Sequence, residues 1–392
     1  MEQVEQLMND FAGRTGLAGD APPRRYLWTD AFAVCNYLSL SRAGDETAYL
    51  GRARALVDQV HEVLGAYAEN DVRSGWLGGM DDREHARSPT RAGLRIGKNV
   101  PERGVEEPFD ERREWDRDGQ YFHYLTRWMH ALERLAEATG EADYHQWAVD
   151  LARAAFEGFV DRPADDGPPR MFWKMSVDLD RPLVPSMGHH DPLDGWVVAQ
   201  MLIASDHGSE SERRELAGFA EVYRDMFAGR ELVTGDALGI GGLLVDAWQV
   251  FRAMPHADEV SPDRIRELVD AAGPGLEAVI GQRQLELPPH RRLAFRELGL
   301  ATGLRAADRL AANAPSPDSV SAERLHAALR QISGRVGLAD EIERTWLAPE
   351  NRDYPAWTEH RDINEVMLAT CLAPAGYLGP APPTESNKEA SS

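Results

Sequence analysis

Apolar positions recur along this chain at helical spacing, and the recurrences come in pairs. Residues 28–43 place Phe32, Cys35, Leu38 and Leu40 at near-helical intervals. After a tight turn at Gly44, residues 45–67 repeat the pattern with Tyr49, Leu56, Val60, Val63 and Leu64. Residues 119–139 and 141–160 form a second pair about Gly140. The two turns read alike, RAGDETAYLGRA and EATGEADYHQWA: a small residue, glycine, an acid, then tyrosine. Glycine suits the left-handed residue that ends a helix, and an acid suits the positive first turn of the next. Weaker echoes at SDHGSESERRELAGFA and ATGLRAADRLAANAPSPDSVSAERLHAAL make this an internal repeat of helical hairpins.

Six first helices are predicted, at about 28–43, 119–139, 192–207, 236–254, 292–313 and 360–373. Second helices follow five of them, at about 45–67, 141–160, 210–228, 261–281 and 321–345, and residues 2–14 supply the missing sixth partner. Strand signals are sparse. The expected fold is all-α: an (α/α)6 barrel, or toroid, of six hairpins closed by the N-terminal helix. Residues 1–380 are read as one domain and the polar stretch APPTESNKEASS, 381–392, as a disordered tail.

Composition narrows the function. With 43% hydrophobic and 28% charged residues the 392-residue chain is globular in character, and no apolar run is long enough to span a bilayer. The N-terminus lacks the basic and apolar regions of a signal peptide, so a cytoplasmic location is expected. Cys35 and Cys371 read as buried free thiols. A net charge of −22 opposes nucleic acid and anionic membranes as partners. Only Lys98, Lys174 and Lys388 are lysines among 43 basic residues.

Antiparallel hairpins put all hairpin turns at one end and the long connections 68–118, 161–191 and 346–359 at the other, where a site is expected. Six of ten tryptophans fall in or beside these loops: Trp28, Trp76, Trp115, Trp173, Trp196 and Trp357. Their indole faces suit sugar rings, although any one of them also serves as a loop anchor. Titratable groups gather on the same side: Asp30 and His85; Asp118, Tyr121 and His123 in DRDGQYFHY; His189, His190, Asp191 and Asp194 in GHHDPLDG; and His360, Arg361 and Asp362 in EHRD. Paired carboxylates serve glycosidic hydrolysis, and a histidine with a carboxylate serves proton abstraction beside a sugar carbonyl. The favoured carboxylate pair is Asp118 with Asp191 or Asp194, with His190 and His360 as further catalytic candidates. The competing reading is capping, since DPLDG is a good helix start and Asp118 and Thr29 also precede helical patterns.

The basic run RAGLRIGK offers Arg91, Arg95 and Lys98 to a carboxylate, sulfate or phosphate on the ligand; alternatively it pairs with the acids of EEPFDERREWD. His189, His190 and Asp191 are consecutive, so their side chains diverge, and no HExxH occurs. Neither a metal nor a cofactor is expected.

Six hairpins, the Gly-acid-x-x-Tyr-like turns and the Trp-, His- and Asp-bearing loops together resemble the six-hairpin glycosidase-like superfamily. That resemblance implies a toroid and a carbohydrate ligand, anionic ones included. Its members comprise glycoside hydrolases, unsaturated uronyl hydrolases and N-acylglucosamine 2-epimerase-like isomerases. The RGNGW-type string of the uronyl hydrolases is missing here. Three readings stand: a glycoside hydrolase using two carboxylates, which is favoured; a sugar epimerase or isomerase using histidine bases; and a non-catalytic toroid that binds a ligand or partner.

Overall fold

A computed structural model describes residues 1–163, 167–256, 260–314 and 316–382. From residue 383 on, the tail expected at 381–392 lies outside the described residues. Contacts divide the chain into two compact units, Met1–Arg230 and Glu231–Ser392.

The first unit begins with α1 (Glu2–Arg14), followed by the hairpin α2 (Leu27–Ala43) and α3 (Glu46–Leu64). A long connection carries the short helices α4 (Asp82–Arg87) and α5 (Glu111–Glu114) and leads to strand β1 (Gln120–Tyr121). The second hairpin is α6 (Phe122–Thr139) and α7 (Ala142–Phe159). Four short strands follow: β2 (Val160–Asp161), β3 (Arg170–Met171), β4 (Lys174–Met175) and β5 (Pro182–Val184). The third hairpin is α8 (Asp191–Ile203) and α9 (Glu210–Phe227). Strand β4 lies between β1 and β5, antiparallel to both, with Tyr121 opposite Lys174. This small sheet fixes the start of α6 against the loop before α8.

Burial separates the helices by role. Helix α2 is buried from Leu27 to Ser41 and α8 from Asp191 to Leu202, whereas α3 and α9 bury only a stripe. A helix buried all round belongs to an inner layer and an amphipathic one to an outer layer. Helices α2, α6 and α8 pack side by side in chain order, each against its own partner, and α1 packs on α2.

The second unit contains α10 (Ala237–Ala253), α11 (Pro262–Gly281), α12 (Ala294–Asn313), α13 (Val320–Ser333), α14 (Gly337–Leu347), α15 (Pro355–Thr358), α16 (Arg361–Leu372) and α17 (Ala375–Leu378). Here α12 packs against both α10 and α16.

The chain is therefore all-α in class, and all six first helices exist within a few residues of their predicted bounds. The helix expected over 321–345 is two, α13 and α14, parted where Gly334 and Gly337 weaken helix formation. Gly140 ends α6 in the left-handed conformation, at φ 73°. Gly44 does not, ending α2 at φ −148°; there Asp45 restarts the chain by capping Ala48 N at 3.0 Å. Helix α2 begins earlier, and α6 later, than the capping reading requires. Tyr26 and Tyr121 are the N-terminal boundary residues of α2 and α6, so Thr29 lies inside α2 and Asp118 ahead of β1. Both cysteines are free and buried. Among the described residues no helix is long and apolar enough to cross a membrane.

Candidate active site

The first turns of α6 and α8 each offer two polar side chains to the other. His123 and Arg127 stand four apart, and Asp191 and Asp194 three apart, so each pair shares one helical face. Asp194 is 4% exposed, and both of its oxygens are taken. Arg127 Nη2 donates to Oδ1 at 2.6 Å, and His123 Nδ1 lies 2.8 Å from Oδ2. Burial alone would raise the Asp194 carboxyl, but the Arg127 guanidinium and the His123 hydrogen bond reverse this and hold it at about 2. An ionised carboxylate only accepts, so His123 Nδ1 carries the proton. The opposite nitrogen, Nε2, receives the Trp28 indole N–H in a long contact of 3.4 Å. The His123 ring is thus held at both nitrogens, with Nε2 on the side away from Asp194.

Asp191 has the contrary environment. It is 6% exposed, the Gly188 backbone amide hydrogen-bonds its carboxylate, and its Oδ2 has no hydrogen-bond partner among the described residues. Burial, then the negative charge of Asp194, pushes the Asp191 carboxyl up to about 7. Gly188 allows this packing, because a Cβ there would overlap the Asp191 carboxylate. One turn of helix therefore carries an ionised carboxylate and a carboxylic acid that titrates near neutrality, the division of labour that acid–base sites need.

Both His123 and Asp191 line a cavity of about 640 Å³. Its wall is aromatic: Phe109, Trp115, Tyr121, Tyr124 and Trp173. Trp115 and Trp173 pack with ring centres 5.1 Å apart, Tyr121 lies 5.0 Å from Trp173, and the Trp173 indole N–H reaches Ser186 Oγ at 3.0 Å. Glu111 and Glu114 also line it, and no Lys or Arg does among the described residues. Glu114 is buried and already paired with Arg103 and Lys174, at 3.0 and 3.1 Å.

Of the residues expected from sequence, Trp115, Tyr121, His123, Trp173 and Asp191 meet at this cavity. Asp194 and Trp28 bond to His123. Asp118 is occupied elsewhere: Arg95 forms a buried ion pair with its Oδ2, and the Gly97 and Lys98 amides donate to Oδ1 at 3.1 and 3.3 Å. Asp30 pairs with Arg25 and accepts from Tyr26 N at 2.8 Å. Trp76 stacks on His85 at 3.6 Å and donates to Asp82. Arg91 faces Glu84 at 3.5 Å, and Lys98 donates to the Trp115 carbonyl and to Tyr121. Trp196 is buried in α8 near Phe227. The His189 and His190 rings lie 4.5 Å apart just before α8. In the second unit Trp357 is buried against Trp346, Arg361 pairs with Glu365 at 2.8 Å, and His360 and Asp362 sit at the start of α16.

Sequence reasoning missed Arg127, Tyr124, Phe109 and Gly188. Arg127 had a signal: it lies one turn after His123, and an arginine and a histidine so spaced can share one acid. One atom each from His123, Asp191 and Asp194 lies within 4.8 Å of the others, a spacing that suits a metal ion. Arg127 argues against that use, since its guanidinium already neutralises Asp194 at the place a cation would take.

No family model matches the chain, and no curated protein matches it. Among solved structures it is similar to cellobiose 2-epimerase from Spirochaeta thermophila DSM 6192, at 10% identity and a TM-score of 0.48, over 95% of this chain and 98% of that one. At that score the likeness adds nothing to the chemistry read from the residues.

Proposed function

We propose that the first unit holds the active site of a carbohydrate-active enzyme that moves a proton on a small, uncharged sugar. The observation that supports this is the Asp194-bonded His123 beside Asp191, a carboxyl raised to about 7, both on one aromatic-walled cavity. His123 Nε2 serves as the base, oriented by Asp194 and Arg127, with the ligand C–H taking the place of the long Trp28 contact. Asp191 supplies a proton to an oxygen of the ligand, as an isomerase or epimerase needs when a C–H beside a carbonyl is broken. The aromatic wall provides a stacking face for the sugar ring. A cavity without lysine or arginine on its lining favours a neutral ligand over an anionic one, since Arg91 and Arg95 are spent on Glu84 and Asp118.

In this reading Asp118 positions the loop rather than transferring a proton, so the favoured hydrolase pair of Asp118 with an α8 aspartate gives way to the histidine-based alternative. Hydrolysis stays as the second reading on one observation: a carboxyl raised to about 7 is also the acid that glycoside cleavage requires. We propose too that residues 1–380 unfold as one domain, which calorimetry would show as a single transition.

The test is solvent deuterium. Neutral aldoses and ketoses incubated with the enzyme in D2O are expected to gain carbon-bound deuterium, and His123→Ala and Asp191→Asn to abolish the gain. Release of reducing ends from oligosaccharides without any deuterium uptake would move the assignment to hydrolysis.

A further inference from the structure

Lysine is almost absent from this chain, and both lysines among the described residues touch one side chain. Lys98 Nζ lies 3.2 Å from the Tyr121 hydroxyl and 5.2 Å from the ring centre, and Lys174 Nζ lies 5.3 Å from the same centre. Each ammonium is anchored. Lys98 also donates to the Trp115 carbonyl, and the fully buried Lys174 donates to the Glu114 and Arg117 carbonyls at 2.6 and 3.0 Å. An ammonium is a compact point charge that fits beside a phenol, whereas a guanidinium is a planar fork. The arginine used everywhere else would not fill the same place.

The hydroxyl chemistry then follows. A phenol has one O–H to donate and lone pairs to accept with. Lys98 can only donate, so it occupies a lone pair of Tyr121 and leaves the O–H unspent. Burial raises the Tyr121 pKa, which keeps that proton in place across the working range. Tyr124, on the same wall, differs: its hydroxyl lies 2.7 Å from that of Tyr26, and the two phenols share one hydrogen bond.

We propose that Tyr121 binds the ligand by donating its O–H to a ligand oxygen in the cavity, and that Lys98 is the positioning residue that aims it. This rests on the sugar-binding reading of the cavity and deepens it by naming the donor. Lys98, read from sequence as an anion ligand, thereby acts through Tyr121 on an uncharged oxygen.

The test has two arms, both on the full chain. With so few lysines, side-chain nitrogen-15 labelling resolves Lys98, assigned by the loss of its signal in Lys98→Arg. Tyr121→Phe is expected to shift that signal and its titration; an unchanged Lys98 signal overturns the contact and the proposal with it. In the second arm, tyrosine is labelled at the hydroxyl-bearing carbon, and D-glucose, D-mannose and D-galactose are added in turn. At least one sugar is expected to move the Tyr121 signal, to bind about tenfold more weakly to Tyr121→Phe, and to bind Lys98→Met more weakly as well. The double variant is expected to be no worse than Tyr121→Phe alone, because Lys98 acts through Tyr121. Additive losses, or no sugar that moves the signal, overturn the proposal. A signal that moves while deuterium exchange is absent supports the donor and removes the proton-transfer reading.

Discussion

Two buried aspartates of the first unit, Asp118 in the loop before β1 and Asp191 at the start of α8, have nearly the same exposure and opposite surroundings. Asp118 faces a buried arginine and two backbone amides, which satisfy both of its oxygens. Asp191 has one glycine amide, an ionised aspartate as neighbour and an oxygen without a partner among the described residues. Burying a carboxylate is costly unless it is paired, and the unpaired one answers by holding its proton. Burial alone therefore does not separate a structural acid from a reactive one; the completeness of its hydrogen bonds does.

The largest expected effect breaks the comparison from the reactive side. Asp191→Asn should lower deuterium exchange by about 10²–10⁴-fold, the range of a lost general acid, while Asp118→Asn retains most of the exchange. Equal losses in both would erase the distinction. Asp118→Ala strands Arg95 without its partner, and chemical denaturation should show a loss of about 3–5 kcal/mol. A loss under about 1 kcal/mol would mean that the pair carries little of the loop's stability.

Next is pH. A carboxyl raised to about 7 in the folded protein binds a proton that the unfolded chain has already released, so this group makes stability fall as pH rises from about 4 to 7 and adds no slope above. Asp191→Asn should flatten that segment of the melting curve and melt higher than the parent at pH 8. Asp194, held at about 2, has the reverse sign: its contribution is present above pH 4 and is lost as pH falls toward 2. Asp194→Asn should therefore remove slope at the acid end and, by taking the neighbouring charge from Asp191, shorten the falling segment between about pH 4 and 7. The smallest effect sharpens the packing around Asp191. Gly188→Ala sets a Cβ on the carboxylate and should cost about 1–3 kcal/mol, with a change in the pH of the exchange optimum.

Much of the scaffold was legible because hairpins are written locally. The apolar spacing of residues 28–43 and 45–67, and the glycine at 140, are short-range signals that tertiary packing reinforced. The site was harder. His123, Asp191, Trp115 and Trp173 could be gathered by asking which loops share an end, but that polarity says nothing of which acids find partners. Asp118 looked reactive because it stands at the predicted start of a first helix; that the Arg95 fork reaches it from 23 residues earlier is a tertiary fact. The strand β1 was hidden for the same reason, since two residues pair with Lys174 and Met175 across a distance no periodicity records. Arg127 was readable in principle from its one-turn spacing to His123, and Gly188 was not, because nothing local reveals a close approach to a carboxylate.

The most direct measurement is a titration of carbon-13-labelled aspartate side chains by NMR, with the Asp191 signal assigned by its loss in Asp191→Asn. Asp191 is expected to titrate at about 7, and its midpoint to fall when Asp194→Asn removes the neighbouring charge. An Asp191 that titrates near the ordinary carboxyl value of about 3.9, unmoved by Asp194→Asn, would contradict its assignment as the proton donor of the site.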